Sequence, residues 1–286
     1  MRVMVTGALG NVGRYVLESL TSMGEQVVAA DISLDKLNAA YGNMNNVKSV
    51  YFDFTDTKTF EAALKDVDRV FLMRPPHLGK PEDLLPFVEA MANANLKLVS
   101  FLSLMGVENN PVPPHHKIEK FIEKYDLPYA HIRPGFFMQN VSGVHALEIK
   151  EQNQIFVPAG KSKTTFIDAK DIGLAIATVL HSPEKYRNTA HTITGPEALD
   201  YYQVADILSQ VLGRKITYAK PSFLKYRSVY IKKRGLDKTY VNVTVMLYFM
   251  TRMGTAKRTT DEFEKLTGKK PRTFKDFALE NIKAWQ

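Results

Sequence analysis

Three glycines at three-residue spacing, Gly7, Gly10 and Gly13, follow directly on an apolar run of Val3, Met4 and Val5. Where a strand feeds into a helix, such a turn can hold a dinucleotide. Gly7 lets the chain bend sharply off the strand, Gly10 lets the backbone approach a diphosphate, and Gly13 lets helix and strand pack closely. The N–H groups of Asn11, Val12 and Gly13 at the helix start then face the phosphates. The first gap is one residue longer than in Gly-x-Gly-x-x-Gly, and the triplet alone also suits an ordinary turn. Asp31 ends a second apolar run, residues 26–30, eighteen positions past Gly13. An acid there accepts hydrogen bonds from adenosine ribose hydroxyls and repels a 2′-phosphate, favouring NAD(H), with NADP(H) as the alternative cofactor. Asp31 could instead cap the helix expected over residues 33–41.

Further polar groups follow the next apolar runs. Asp53 and Phe54 come after residues 47–52, where a carboxylate could accept from the exocyclic amine of adenine and a ring could pack on the base. Asp53 could equally cap a helix over 57–64. Arg74 closes the run 67–73 just before Pro75 and Pro76, where a diphosphate or a nicotinamide ribose would pass. Ser103 ends a fifth run, residues 96–102. Between these runs lie helical patterns, so strands and helices alternate five times. That alternation predicts an α/β fold, a doubly wound parallel sheet whose ligands sit at the carboxyl ends of its strands. One premise thus places Gly7, Asp31, Asp53, Arg74 and Ser103 on one rim.

Composition narrows the partners. The 286 residues suffice for one large domain or two small ones, and the absence of cysteine excludes disulfides, thiolate zinc sites and cysteine nucleophiles. With no export signal and no long apolar span, a cytoplasmic location and no membrane partner are expected. The net charge of +8 is uneven: residues 215–286 hold 17 Lys and Arg against 6 Asp and Glu, whereas residues 1–214 hold 21 against 24. The basic run with Lys225, Arg227, Lys232, Lys233 and Arg234 could meet an anionic partner or form a solvated helix face. No nucleic-acid module accompanies it, so a nucleic-acid partner is not expected.

Together these residues give the chain a resemblance to the NmrA-like group of atypical short-chain dehydrogenases/reductases, which are NAD(P)-binding Rossmann-fold proteins related to quinone reductases. It rests on Thr6-Gly7-Ala8-Leu9-Gly10-Asn11-Val12-Gly13, on Phe101-Leu102-Ser103, and on residues 127–140 with Arg133-Pro134-Gly135-Phe136-Phe137. Phe166-Ile167-Asp168-Ala169-Lys170-Asp171-Ile172-Gly173 and Ile193-Thr194-Gly195-Pro196-Glu197 complete it. The resemblance implies a Rossmann domain over residues 1–134 and a smaller, mainly substrate-binding α+β subdomain over 135–286, with about 164–195 returning to the first. It also implies a nicotinamide ring facing a cleft between the two. Some members of the group resemble reductases, some resemble isomerases, and others bind the dinucleotide and regulate a protein partner.

The parent superfamily uses a tyrosine, a lysine four residues later and a serine on the fifth strand. Ser103 matches the serine, but Pro111 and His115 stand at the tyrosine and lysine positions. The catalytic candidates are therefore Ser103 and, at the helix start with His116, His115, a histidine of near-neutral pKa delivering a proton and oriented by Glu119 one turn on; the two histidines could equally belong to an exposed, polar helix start with no role in the chemistry. Phe136, Phe137 and Met138 could wall the nicotinamide side or form plain core, and Asn140 could hold a substrate carbonyl with Ser103. The adjacent histidines His115 and His116 cannot both face one metal from a helix, so no metal site is expected. Two functions remain open: a reductase of a small electrophilic or aromatic, quinone-like substrate, and a non-catalytic NAD(P)-sensing regulator of a protein partner.

Overall fold

A computed structural model of the chain describes residues 1–286. In order, the elements are β1 (Arg2–Thr6), α1 (Gly13–Ser22), β2 (Val27–Asp31), α2 (Leu34–Tyr41), β3 (Val47–Tyr51), α3 (Phe60–Leu64), β4 (Val67–Leu72), α4 (Leu85–Ala92), β5 (Leu98–Leu102), α5 (Pro114–Lys124) and β6 (Tyr129–Pro134). Next come β7 (Phe136–Phe137), α6 (Gln139–Ser142), α7 (Ala146–Gln152), β8 (Gln154–Ile155), β9 (Thr164–Ile167), α8 (Ala169–His181), α9 (Pro183–Tyr186) and β10 (Thr189–Ile193). The chain ends with β11 (Ala198–Leu199), α10 (Tyr201–Leu212), β12 (Thr217–Tyr218), α11 (Phe223–Ser228), α12 (Lys238–Arg252), α13 (Glu262–Thr267) and α14 (Phe274–Glu280). Two compact units result. One comprises Met1–Pro134, Ala169–Ile193 and Glu262–Lys269; the other comprises Gly135–Asp168, Thr194–Asp261 and Lys270–Gln286.

The first unit is a Rossmann-type doubly wound α/β fold. Its seven strands run β10-β6-β5-β4-β1-β2-β3, all parallel, with Val5 beside Ala29 on one side and Phe71 on the other. Strands buried on both faces must be apolar on both, and Val3, Met4, Val5, Val70, Phe71 and Leu72 are fully buried. Met4, Val28, Val70 and Val99 pack into one cluster with Phe60 of α3, Phe87 and Met91 of α4, and Ile118 and Ile122 of α5. Burying each such side chain is worth about 1.5–3 kcal/mol. Helix α8 returns to this unit and packs against α1, β4, β5 and β6. Gly173 makes that approach close, since a Cβ there would come within 2.5 Å of the Tyr15 Cβ. Because β1 lies between β2 and β4, strand order reverses there, and the carboxyl ends of β1 and β4 define the switch point at which such sheets bind ligands.

The second unit holds two small sheets, β11-β9-β7 and β12-β8. Residues 154–158 and 163–167 read as two strands around the Gly160 turn, yet they do not pair. The turn forms, with Gly160 at φ +68°, but β8 pairs in parallel with β12, and β9 pairs with β7 and β11. Trp285, Phe274, Phe277, Tyr201 and Phe166 fill this unit's core. No helix of the chain is long and apolar enough to cross a membrane.

Candidate functional site

The glycine turn is locked by its own backbone. Gly7 adopts φ +60°, and the Gly10 N–H donates to the Gly7 carbonyl at 2.8 Å. A Cβ on Gly13 would stand 2.1 Å from that carbonyl oxygen, so only glycine brings α1 this close to the turn. On Gly10 the nearest atom would be the same oxygen at 3.0 Å. Two side chains that sequence reading missed pin the loop. The Tyr41 hydroxyl donates to the Ala8 carbonyl at 2.9 Å, and the Thr6 hydroxyl donates to Phe71 O at 2.8 Å while accepting from the Met73 N–H at 3.1 Å. Thr6 thereby ties the ends of β1 and β4 together at the switch point.

Helix α1 starts at Gly13 after Val12, with no side-chain cap and no acid in its first turn. The Arg14 N–H already donates to Gly10 O at 3.3 Å and the Tyr15 N–H to Val12 O at 2.9 Å, so the N–H groups of Asn11, Val12 and Gly13 ahead of them present the partial positive charge for anion binding at a helix start. The Asp31 carboxylate lies over the same loop, accepting from the Leu9 N–H at 3.3 Å, while Ser33 occupies the N-cap of α2. The cap alternative for Asp31 is thus not realised. A cradle that side chains would fill, an uncapped helix start and an acid beside them fit a dinucleotide diphosphate and its adenosine ribose.

The remaining rim residues fall into different settings. Asp53 caps no helix: its carboxylate accepts from the Thr55 N–H at 2.8 Å and the Thr55 hydroxyl at 2.7 Å, which hold its pKa below the usual value. Phe54 is turned into the core, edge-on to Phe52 and Phe87 with centroids at 4.7 and 5.5 Å, because an aromatic cluster under β3 offers more burial than the rim. Arg74 folds back on its own loop and donates to Leu78 O at 2.5 Å and to Pro75 O at 3.3 Å, an oxygen that also accepts from the Leu78 N–H at 3.1 Å.

Ser103, at the end of β5, is buried with no hydrogen bond closed to its hydroxyl. It lies close enough to Glu119 to help hold that carboxylate ionised. Burial alone would raise the Glu119 pKa, but Arg133, donating to both its oxygens at 3.0 and 2.7 Å, pulls it below the usual range. Glu119 therefore does not orient His115. The His115 ring stacks on Phe101 at 6.0 Å, and its Nδ1 is buried without a partner. Burial and the neighbouring Arg74 charge push its pKa down to about 4, so His115 is a neutral imidazole and not the near-neutral acid expected. Its neighbour His116 bonds Val107 O at 2.9 Å through Nδ1. One cluster unrelated to those histidines brings ligand atoms of Glu119, Glu123 and His131 within 4.8 Å of one another, but Arg133 already neutralises Glu119.

In the second unit, Met138 is fully buried in the core, where it packs with Val141 and Phe166, instead of walling a site. Phe136 and Phe137 are half-buried and Asn140 is exposed.

Comparison with known proteins adds four findings. The model of the NmrA-like family matches residues 1–278. Prestalk A differentiation protein A of Dictyostelium discoideum is 30% identical over 286 residues, covering 99% of this chain and 93% of that one. The uncharacterized oxidoreductase YesF of Bacillus subtilis (strain 168) is 29% identical, covering 99% and 96%. Among solved structures, the NADPH-dependent quinone oxidoreductase of Escherichia coli, complexed with NADPH, superposes with a TM-score of 0.87 at 22% identity, covering 98% and 99%.

Proposed function

The chain belongs to the NmrA-like family, and from that membership we propose that it is an oxidoreductase that uses a nicotinamide dinucleotide to reduce a small, electron-poor aromatic acceptor of quinone type. The observation that carries this reading is the turn from β1 into α1, where the Gly13 approach leaves an uncapped helix start facing the carboxyl ends of β1 and β4. The dinucleotide supplies a hydride when bound, and the chain's residues bind, orient and exclude water. The N–H groups of Asn11, Val12 and Gly13 hold the diphosphate. Asp31 accepts from the ribose hydroxyls and opposes a 2′-phosphate, so the proposed preference is NADH, although the quinone oxidoreductase with a similar fold is complexed with NADPH.

Ser103, whose hydroxyl has no closed hydrogen bond, donates to the acceptor's carbonyl oxygen. His115 assists as a neutral hydrogen-bond partner, and with Pro111 in place of a tyrosine the product oxygen takes its proton from water. The test is a fluorescence titration with NADH and NADPH, followed by turnover against a quinone panel. NADH binding with quinone-dependent oxidation is expected, and binding of neither nucleotide overturns the reading. Pro111 and His115 favour a second reading, a dinucleotide-sensing regulator of a protein partner. Tight binding without turnover across the panel would be its mark.

A further inference from the structure

Helix α12 is apolar on two sides. Val241 and Tyr248 face the interior of the second unit, while Val243, Met246 and Met253 lie 55%, 57% and 66% exposed, with Tyr240, Leu247 and Phe249 also exposed. At 100° per residue, positions 240, 243, 246, 247 and 250 form one continuous stripe. A stripe of this kind on a water-facing helix is not explained by packing within the unit. Beside it, α11 packs against α12 and carries Leu224, 81% exposed, next to the exposed Lys225. The segment is also charged in one sense: residues 215–260 contain eleven Lys and Arg and a single acid, Asp237. Lys232 and Lys233, in the π-helical segment Val229–Lys233 that follows α11, and Lys238 at the start of α12 are exposed.

We propose that the α11–α12 face docks on an anionic lipid surface, with the methionine-rich stripe entering the headgroup boundary and the lysines meeting lipid phosphates. Two properties select this occupant. A second copy would bring two segments of the same strong positive charge together, which opposes self-association. A peptide partner seeks a groove with pockets, whereas here the exposed apolar groups lie along the outer side of α12 and on α11 beside basic side chains, the pattern of an interfacial helix. Methionine side chains, flexible and polarisable, suit a disordered acyl boundary.

The test is sedimentation of the full chain with phosphatidylcholine vesicles containing phosphatidylglycerol at roughly one lipid in three, against phosphatidylcholine alone. At least ~10-fold more protein is expected on the anionic vesicles, falling as salt is raised. Met246→Asp with Met253→Asp, both at exposed positions, should lose most of this binding with unchanged far-UV circular dichroism, and Lys232→Glu with Lys233→Glu should flatten the salt dependence. Equal binding to both vesicles would overturn the proposal, as would full binding by the double aspartate variant. So would a dimer that the aspartates dissociate in light scattering while lipid is ignored, or a preference for a single-stranded oligonucleotide over the anionic vesicles.

Discussion

At the scale of single residues, the three glycines of the turn separate into packing and binding roles. Gly13 is held by a 2.1 Å clash with Gly7 O that any Cβ would meet, so Gly13→Ala is expected to shift α1 and lower stability by about 1–3 kcal/mol in urea unfolding. Gly10 has negative φ, and a Cβ there meets Gly7 O at 3.0 Å rather than 2.1 Å, so Gly10→Ala should cost less stability than Gly13→Ala while weakening dinucleotide binding in calorimetry. Retained affinity would show that the turn holds no diphosphate. Asp31→Ser removes the carboxylate that opposes a 2′-phosphate, and the NADPH to NADH affinity ratio is expected to rise about tenfold, ~1.4 kcal/mol. The glycines and Asp31 were legible in the sequence because each meets a local demand, a sharp turn or a strand end. Tyr41 and the Glu119–Arg133 pair were not, because their partners lie 33 and 14 residues away and nothing at either position signals them. The acidity of His115 was misread for the same reason: the burial and the Arg74 charge that set it come from other segments.

At the scale of elements, alternation of apolar runs and helical patterns revealed β1 to β5 with ends off by one or two residues; β1, β2, β4 and β5 are buried strands that need no partner information to be recognised, whereas β3 is a half-exposed edge strand read from its place in the alternation. Pairing is different. Residues 154–158 and 163–167 sit either side of a glycine turn, yet β8 joins β12, a choice made by packing some sixty residues along the chain and invisible locally. Around α7 and α12 lies a buried polar network equally hidden from the sequence. His145 Nδ1 meets the Tyr230 hydroxyl at 2.8 Å and its Nε2 meets the Tyr248 hydroxyl at 3.0 Å, while Arg234 pairs with buried Glu148 at 2.7 Å. Removing Arg234 leaves the buried Glu148 carboxylate without its partner cation, whereas Arg234 itself is only partly buried. Arg234→Met is therefore expected to cost about 3–5 kcal/mol in urea unfolding, and Arg234→Met with Glu148→Leu together much less than the single change. If the single and double variants lose equally, the network contributes only its packing.

At the scale of the whole molecule, buried neutral histidines couple stability to pH. His131, fully buried with Tyr129 stacked on it at 4.4 Å, has its pKa pushed from 6.5 down to about 4, and burial takes His145 down to about 3. A folded-state pKa below the unfolded one means that the unfolded chain binds the proton first. Stability is therefore complete above pH 6.5 and drains as pH falls from there toward the folded values. At pH 5 each of these histidines is expected to have removed on the order of 2 kcal/mol, at ~1.4 kcal/mol per pH unit below 6.5. Glu119 adds to the loss only lower still, because its depressed pKa is stabilising above the ordinary carboxylate range and is lost as pH drops through it. The measurement is urea unfolding at pH 7 and pH 5 for the native chain and for His131→Phe, which keeps an aromatic ring beside Tyr129 and removes the titrating group. The native chain should lose roughly one and a half times as much as the variant between the two pH values, since His145 and His115, the latter also pushed down to about 4, still titrate in the variant. An identical loss would mean that His131 takes up its proton inside the fold, and that Glu123, 3.6 Å from its Nε2, stabilises the imidazolium against burial.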